Sequence, residues 1–280
     1  MSGFDPAWLA LREPADHRSR NVELASALAA RFALRDTISV VDLGCGSGSN
    51  LRALAELLPA TQSWTLVDYD PALLAAARIA LSDWADSVAS SDEDECLTLT
   101  ARGRAITVRF MRYDLNADLA PALGDAPDLV TAAAFFDLAS AQFISRLAQA
   151  VIERRAVFYT VLTYNGIQHW TPRRPADNQM TGAFNRHQMS DKGFGPSAGP
   201  TAPAHLADQF RIGGYSVQEA DSPWTLSGPR DAMLIAELAR GHAAAVAQTG
   251  SVDQKTIAQW RATAHTGSQI GHTDTLAMPA

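Results

Sequence analysis

The segment with the clearest chemical pattern is Asp42-Leu43-Gly44-Cys45-Gly46-Ser47-Gly48, where glycines alternate with small residues directly behind an acidic side chain. Glycine tolerates left-handed backbone and lets a ligand come close to the main chain, so such a run between a strand and a helix presents N–H groups and a helix N-terminus to a bound molecule. Spacing narrows the ligand. The dinucleotide fingerprint G-x-G-x-x-G needs glycine where Ser49 stands, and the third glycine comes one residue early, which disfavours a pyrophosphate cofactor and a nicotinamide oxidoreductase. Asp68 follows the apolar run Trp64-Thr65-Leu66-Val67 and so stands at a strand end. Asp70-Pro71 reads instead as a helix cap and first turn.

The elements that must position these groups are legible by periodicity. Leu24, Leu28 and Phe32 mark a helix, Thr37 to Val41 a first strand, and Leu51, Leu54, Leu57 and Leu58 a second helix closed by Pro59. Trp64 to Val67 is the next strand, and Asp70-Pro71 opens another helix. Ser90 to Glu95 is an acidic run expected as a solvated connection. Cys96 to Thr100 and Ile106 to Met111 flank Arg102-Gly103-Arg104 and are expected to pair as a hairpin. Asp128 to Thr131 and Ala156 to Leu162 supply two strands around a helix holding Phe143, Ile144 and Leu147. Strands alternating with helices predict a parallel sheet with right-handed crossovers. Later come a strand at Tyr215 to Val217, helices over Asp231 to Ala247 and Val252 to Ala264, and an antiparallel return at Thr273 to Met278.

Composition sets further bounds. A chain of 280 residues with 47% hydrophobic residues can bury a proper core, and a formal net charge of -7 disfavours a surface built for nucleic acid. Two cysteines, no leader-like N-terminus and no bilayer-length apolar run predict a cytoplasmic protein without membrane partners. The histidines lack H-x-x-x-H spacing and the cysteines are far apart, so no metal site is expected; no G-x-S-x-G elbow supports a hydrolase.

Together with Val67-Asp68-Tyr69-Asp70-Pro71, the glycine run resembles the D-x-G-x-G-x-G signature of class I S-adenosylmethionine-dependent methyltransferases of the bacterial small-molecule type. The resemblance, carried by motifs over residues 38 to 165, implies a Rossmann-like α/β fold. Its sheet would be mostly parallel, with an antiparallel C-terminal edge strand and a cap inserted after the fifth strand. With the change of texture beyond Thr163, where polar and aromatic residues lie between Gly/Pro-rich stretches, the chain is expected to divide into a helical segment 1–36, a cofactor-binding core 37–165, a cap 166–200 and a C-terminal part 201–280. The resemblance implies S-adenosylmethionine as cofactor, with Asp42, Gly44, Cys45, Gly46, Gly48 and Asn50 around its methionine part and Asp68 and Tyr69 at the ribose. Asp114 and Leu115 would meet the adenine, Ala133 would let the sulfonium approach, and Arg12, or next to it Arg20, would reach the cofactor carboxylate. Phe135 and Phe136 fit either a cation-π contact or ordinary core.

The stretch beyond Thr163 is dense in polar and aromatic side chains, and it supplies the expected substrate contacts Tyr164, Asn165, Trp170, Asn185 and Lys192, joined by Asp137. Tyr164, His169 and His187 are the expected catalytic groups, the histidines as acid or base. The missing Asn/Asp-Pro-Pro-aromatic run argues against an exocyclic base or amide nitrogen as acceptor. A small-molecule oxygen or nitrogen nucleophile is therefore expected, ahead of RNA or protein methylation or a non-catalytic binding module. A basic groove around Arg102, Arg104, Arg109, Arg112, Arg173 and Arg174 would favour RNA. The sequence sets no oligomeric state.

Overall fold

A computed structural model describes residues 5–89 and 96–280, so the acidic run 90–95 lies outside the described residues. Two helices, α1 (Pro6–Ser19) and α2 (Val22–Phe32), precede the sheet. Each opens on a capping side chain: Asp5 accepts from the Ala7 N–H at 2.8 Å, and Asn21 from those of Glu23 and Leu24. The chain then builds β1 (Thr37–Leu43), α3 (Ser49–Leu54), β2 (Thr61–Asp68), α4 (Pro71–Trp84), β3 (Ser87–Ala89), β4 (Cys96–Ala101) and β5 (Arg104–Arg112). After the short α5 (Ala120–Leu123) come β6 (Leu129–Ala133), α6 (Ala141–Glu153) and β7 (Val157–Thr171). The remainder is α7 (Asp177–Gln188), α8 (Ala202–Ile212), β8 (Tyr215–Asp221), β9 (Trp224–Ser227), α9 (Ala232–Thr249), α10 (Gln254–Arg261) and β10 (Gly267–Pro279).

These strands form one sheet in the order β3-β4-β5-β2-β1-β6-β7-β10-β8, with β9 pairing β10. The inner strands β5, β2, β1, β6 and β7 are parallel. Antiparallel pairing is confined to the flanks, where β4 meets β3 and β5, and β10 is clasped between β7 and β8. The predicted hairpin 96–111 is the β4–β5 pair, in register from Cys96 opposite Arg109 to Ala101 opposite Arg104. Inner strands are apolar on both faces because helices cover both: Leu24, Leu28, Phe32, Leu51 and Leu81 belong to one core, and Phe143, Ile144, Leu147 and Phe210 to the other.

Sequence direction reverses between β1 and β6: the chain leaves β1 for β2 on one side and returns to β6 on the other. Such a switch opens a crevice beyond the carboxyl ends of the strands, where ligands of open α/β sheets bind. β7 continues to Thr171 and pairs with β10 along that length, so residues 166–171 are sheet, and the excursion before β8 consists of α7, a loop and α8. Alternation explains the extension, since Trp170 is buried while Ile167 and His169 face outward. No helix among the described residues is long and apolar enough to cross a membrane.

Candidate active site

The crevice holds a cavity of about 410 Å³. Four strand ends reach it: Gly44 after β1, Asp68 ending β2, Asp114 after β5 and Ala133 ending β6. Leu9, Arg12, Asp16 and Arg20 close it from the side of α1, at spacings that put them along one helical face.

The glycine turn follows from backbone demands. Gly44, Gly46 and Gly48 have φ of 62°, 54° and 74°, a region that costs any L side chain energy. Space is equally short: a Cβ on Gly44 would meet Phe135 Cδ2 at 2.6 Å. The Cys45 N–H donates to the Val67 carbonyl at 3.0 Å, joining the turn to β2. Asp68 tightens this junction, its Oδ2 accepting from the Gly46 N–H (2.9 Å) and its Oδ1 from the Asp70 N–H (3.0 Å). Burial raises its carboxyl above the usual range, and these two N–H groups pull it back. Each oxygen retains a lone pair for a ligand.

Behind the turn lies a buried polar chain. Asp42, Thr131 and Tyr159 occupy one register row across β1, β6 and β7. Asn50 donates to Asp42 Oδ1 (2.7 Å) and Thr131 Oγ1 (3.1 Å), and its own Oδ1 accepts from Arg20 Nη1 (2.9 Å). Asp42 Oδ2, Tyr159 Oη and Arg20 Nε and Nη2 are buried with no partner among the described residues. Burial pushes the Asp42 carboxyl up to about 7 and pulls the Arg20 guanidinium down. Arg20 and Asp42 line the cavity, and their orphaned atoms lie buried directly beside it.

Of the sequence-predicted cofactor residues, Arg12, Asp42, Gly44, Cys45, Gly46, Asn50, Asp68, Tyr69, Asp114, Leu115 and Ala133 line this one cavity, whereas Gly48 sits behind it against Ala77 and Leu81. Arg20, the second choice for the cofactor carboxylate, has free donors, whereas Arg12 is engaged by Asp16 through Nε (2.9 Å) and Nη2 (3.1 Å). Phe135 lines the cavity and packs edge-on against Phe136, Phe143 and Phe194, and Phe136 is core.

The expected substrate and catalytic group is more scattered. Lys192 lines the cavity. Asp137 is buried just behind it, its carboxyl raised to about 6 by burial. The Tyr164 hydroxyl donates to Asn185 Oδ1 (2.7 Å) and accepts from Gln168 Nε2 (2.8 Å), and burial raises it far above the ordinary phenol range. Asn165 bonds Thr273 across the β7–β10 pair, and its Oδ1 occupies the space a side chain on Gly271 would need. Trp170 packs between Trp260 and His265. His169 is exposed opposite Gln269, and His187 bonds Gln248 at 2.9 Å and Lys192 at 3.3 Å. Neither histidine lines the cavity, nor do Tyr164, Asn165, Trp170 or Asn185. Sequence reasoning passed over Leu9 and Asp16, which the nine-, twelve-, sixteen- and twenty-position spacing on one helix face would have found.

Searches against family models and against curated proteins match nothing to this chain. Solved structures do match. A cyclopropane-fatty-acyl-phospholipid synthase-like protein from Lactobacillus casei superposes with a TM-score of 0.54 at 14% identity, covering 99% of this chain and 94% of that one. YcgJ from Bacillus subtilis gives 0.50 at 12% identity, over 92% of this chain and 99% of its own. A Bacillus halodurans protein provisionally assigned as a methyltransferase gives 0.50 at 11%, over 91% and 99%. Sheet order, glycine turn and these superpositions agree that the chain has the class I S-adenosylmethionine-dependent methyltransferase fold.

Proposed function

We propose that this protein is an S-adenosylmethionine-dependent methyltransferase acting on an oxygen or nitrogen nucleophile of a small molecule. One observation carries the reading: Asp68 and Arg20, the latter with unpartnered donors, line one cavity around the glycine turn. The residues fit the cofactor's parts. Asp68 would take the ribose hydroxyls, Asp114 and Leu115 the adenine, and Arg20 the amino-acid carboxylate, with the unpartnered Asp42 Oδ2 beside it as an acceptor.

When bound, S-adenosylmethionine supplies a methyl group on a positively charged sulfur, already activated for displacement. The protein's work is then orientation and exclusion of water. Ala133 and Ala134 leave room beside the turn, and Leu9, Phe135, Leu138 and Phe194 wall that region with apolar surface. No histidine lines the cavity, so a neutral amine or an already ionised oxygen suits it better than a group needing a histidine base. A small acceptor also suits the charge layout. Arg102 in the β4–β5 turn and Arg104 at the start of β5 lie about 25 Å of strand from its cavity end, and Arg104 is spent on the Leu58 and Glu56 carbonyls, while Arg112 at the cavity end is turned onto the Tyr69 ring and carbonyl. The basic groove expected of an RNA enzyme gains no support from them.

Calorimetric titration with S-adenosylhomocysteine tests the reading, with Asp68→Ala and NADH as controls. Saturable binding that Asp68→Ala weakens about 100-fold is expected, the cost of losing charge-assisted hydrogen bonds and two anchors of the turn. No binding to the wild type, or binding of NADH alone, overturns it.

A further inference from the structure

The cavity lining is of two unlike kinds. Asp42, Asp68, Asp70 and Asp114 are acidic, and Arg20 reaches Asn50 beside Asp42. Leu9, Phe135, Leu138 and Phe194 supply apolar lining, with Leu9 and Phe135 against the glycine turn, and the remaining charged side chains are Arg12, Asp16 and Lys192. Asp16 is fully engaged: it takes both Arg12 bonds, and its Oδ1 also accepts from Trp224 Nε1 at 3.0 Å. Arg12 in turn lies over the Trp224 ring, 4.9 Å from its centroid. Two contacts from one carboxylate and one aromatic face thus fix the guanidinium, leaving its Nη1 without a partner among the described residues.

Lys192 is the third cation of the lining, after Arg12 and Arg20. Its ammonium donates to the His187 carbonyl (3.1 Å) and Ser190 Oγ (2.9 Å) and touches His187 Nδ1, but it pairs with no carboxylate among the described residues. Its loop is held rather than loose, since Asp191 Oδ1 accepts from the Gly193 and Gly195 N–H groups and Asn116 bonds the Gly193 carbonyl. Asp137, buried behind the lining, feels two of these cations: burial raises its carboxyl, and Arg12 and Lys192 draw it back. Arg20 keeps two donors, Nε and Nη2, without a partner among the described residues, whereas Arg12 is held by Asp16 through Nε and Nη2, so Arg20 is the better match to the cofactor carboxylate.

We propose that the methyl acceptor is a small molecule carrying a carboxylate on a flat apolar body, and that Arg12 and Lys192 are the residues that select it. The inference rests on the methyl-transfer reading, with Arg20 serving the cofactor and Arg12 left for the acceptor. A planar carboxylate matches the free edge of a guanidinium that is already immobilised, so little ordering is required on binding. Phe135 and Phe194, with ring centroids 5.4 Å apart and both packed on the buried Phe143, offer the complementary apolar surface.

The test is titration of the protein saturated with S-adenosylhomocysteine by 4-hydroxybenzoate and benzoate, against 4-hydroxybenzamide and benzamide, near neutral pH. The acids should bind about tenfold or more tightly than their neutral isosteres, and Arg12→Met and Lys192→Met should each remove most of that preference. Both variants should bind S-adenosylhomocysteine as the wild type does, and Arg12→Lys should restore part of the preference. Because Arg12 also anchors Trp224, thermal unfolding accompanies each variant, and Lys192→Met, on a loop, keeps the test decisive if Arg12→Met unfolds. Acids and amides binding alike, neither binding, or indifference to both substitutions overturns this inference alone. Failure of S-adenosylhomocysteine to bind the wild type instead removes the reading beneath it.

Discussion

The front of the sheet, where β1, β2, β5 and β6 end, and the back, where α7 packs on β7 and α9 on β10, bury similar polar side chains to opposite effect. At the front, Arg20 and Asp42 keep unspent hydrogen-bonding atoms beside an open cavity. At the back, His242 is stacked on Phe184 with centroids 4.6 Å apart and planes 8° apart, and its Nε2 has no partner among the described residues. His265 lies 4.5 Å from Trp260 and 4.9 Å from Trp170, and Asp177 accepts from Trp260 Nε1 at 2.8 Å. An unsatisfied group at a cavity is a place for a ligand; an unsatisfied ring nitrogen inside an aromatic stack is a cost offset by the packing around it.

The contrast can be broken from either side, and the back should give the largest effect. Trp260→Ala removes a buried indole and strands Asp177, so chemical denaturation should register a loss of about 3–5 kcal/mol. Affinity for S-adenosylhomocysteine below the new midpoint should stay within about threefold, since Trp260 touches nothing in the cavity. A comparable loss of affinity would mean the two regions are coupled.

Arg20→Met should do the reverse. It removes a charged hydrogen-bond donor, weakening S-adenosylhomocysteine about 10- to 100-fold by calorimetry, while stability should change little, because the lost bond to Asn50 is offset by two unsatisfied donors leaving the interior. Asp42→Asn sharpens the point through pH. The folded carboxyl holds its proton up to about 7, whereas the unfolded one loses it near its ordinary value of 3.8. Unfolding therefore releases a proton in that window, and wild-type stability falls as pH rises from about 4 to about 7. Asp42→Asn, which preserves the bond from Asn50, should flatten that slope and be the more stable protein above neutrality, by ~2–4 kcal/mol. His242 slopes the other way. Burial lowers its folded value to about 3, so its contribution is complete above about 6.5 and lost as acid protonates the unfolded ring; His242→Phe should lessen the acid-side loss. The smallest effect belongs to His169→Ala and His187→Ala, which should leave methyl transfer within about twofold once an acceptor is in hand, since neither ring reaches the cavity.

The same contrast explains what the sequence disclosed. The glycine turn, Asp68 and Asp114 are set by local spacing at strand ends, and a strand-turn-helix leaves little choice about where such residues point. Helices such as α4 and α6 were equally open, because Leu73, Leu74, Ala77 and Leu81, or Phe143, Ile144 and Leu147, fall at helical intervals. The polar stretch after Thr163 misled because density of His, Trp and Asn looks alike whether it faces a substrate or a neighbouring helix. Only its two-residue alternation, Gln168 and Trp170 against Ile167 and His169, betrays a strand. Trp224, Asp231 and Asp274 were invisible as partners because their contacts cross some 200 residues or more: Trp224 to Asp16, Asp231 to Arg18, and Asp274 to the Asn21 N–H.

Those long spans also bear on how the cavity comes into being. α1 is held to α3 by Glu13 on Arg52 and His17 on Ser49, but its other fastenings belong to β9 and the start of α9, and Asn21, which follows it as the cap of α2, is held by Asp274 of β10. Contacts of such separation carry the highest loop-closure entropy and form late. The glycine turn and the anchoring of Arg20 to Asn50 rest on contacts within the first half of the chain, while Arg12, through Asp16 and Trp224, depends on contacts that close a loop of some 200 residues. Local loosening of β9 or β10 would accordingly be felt first as a faster exchange of α1 amides, before any strand of the parallel sheet gives way.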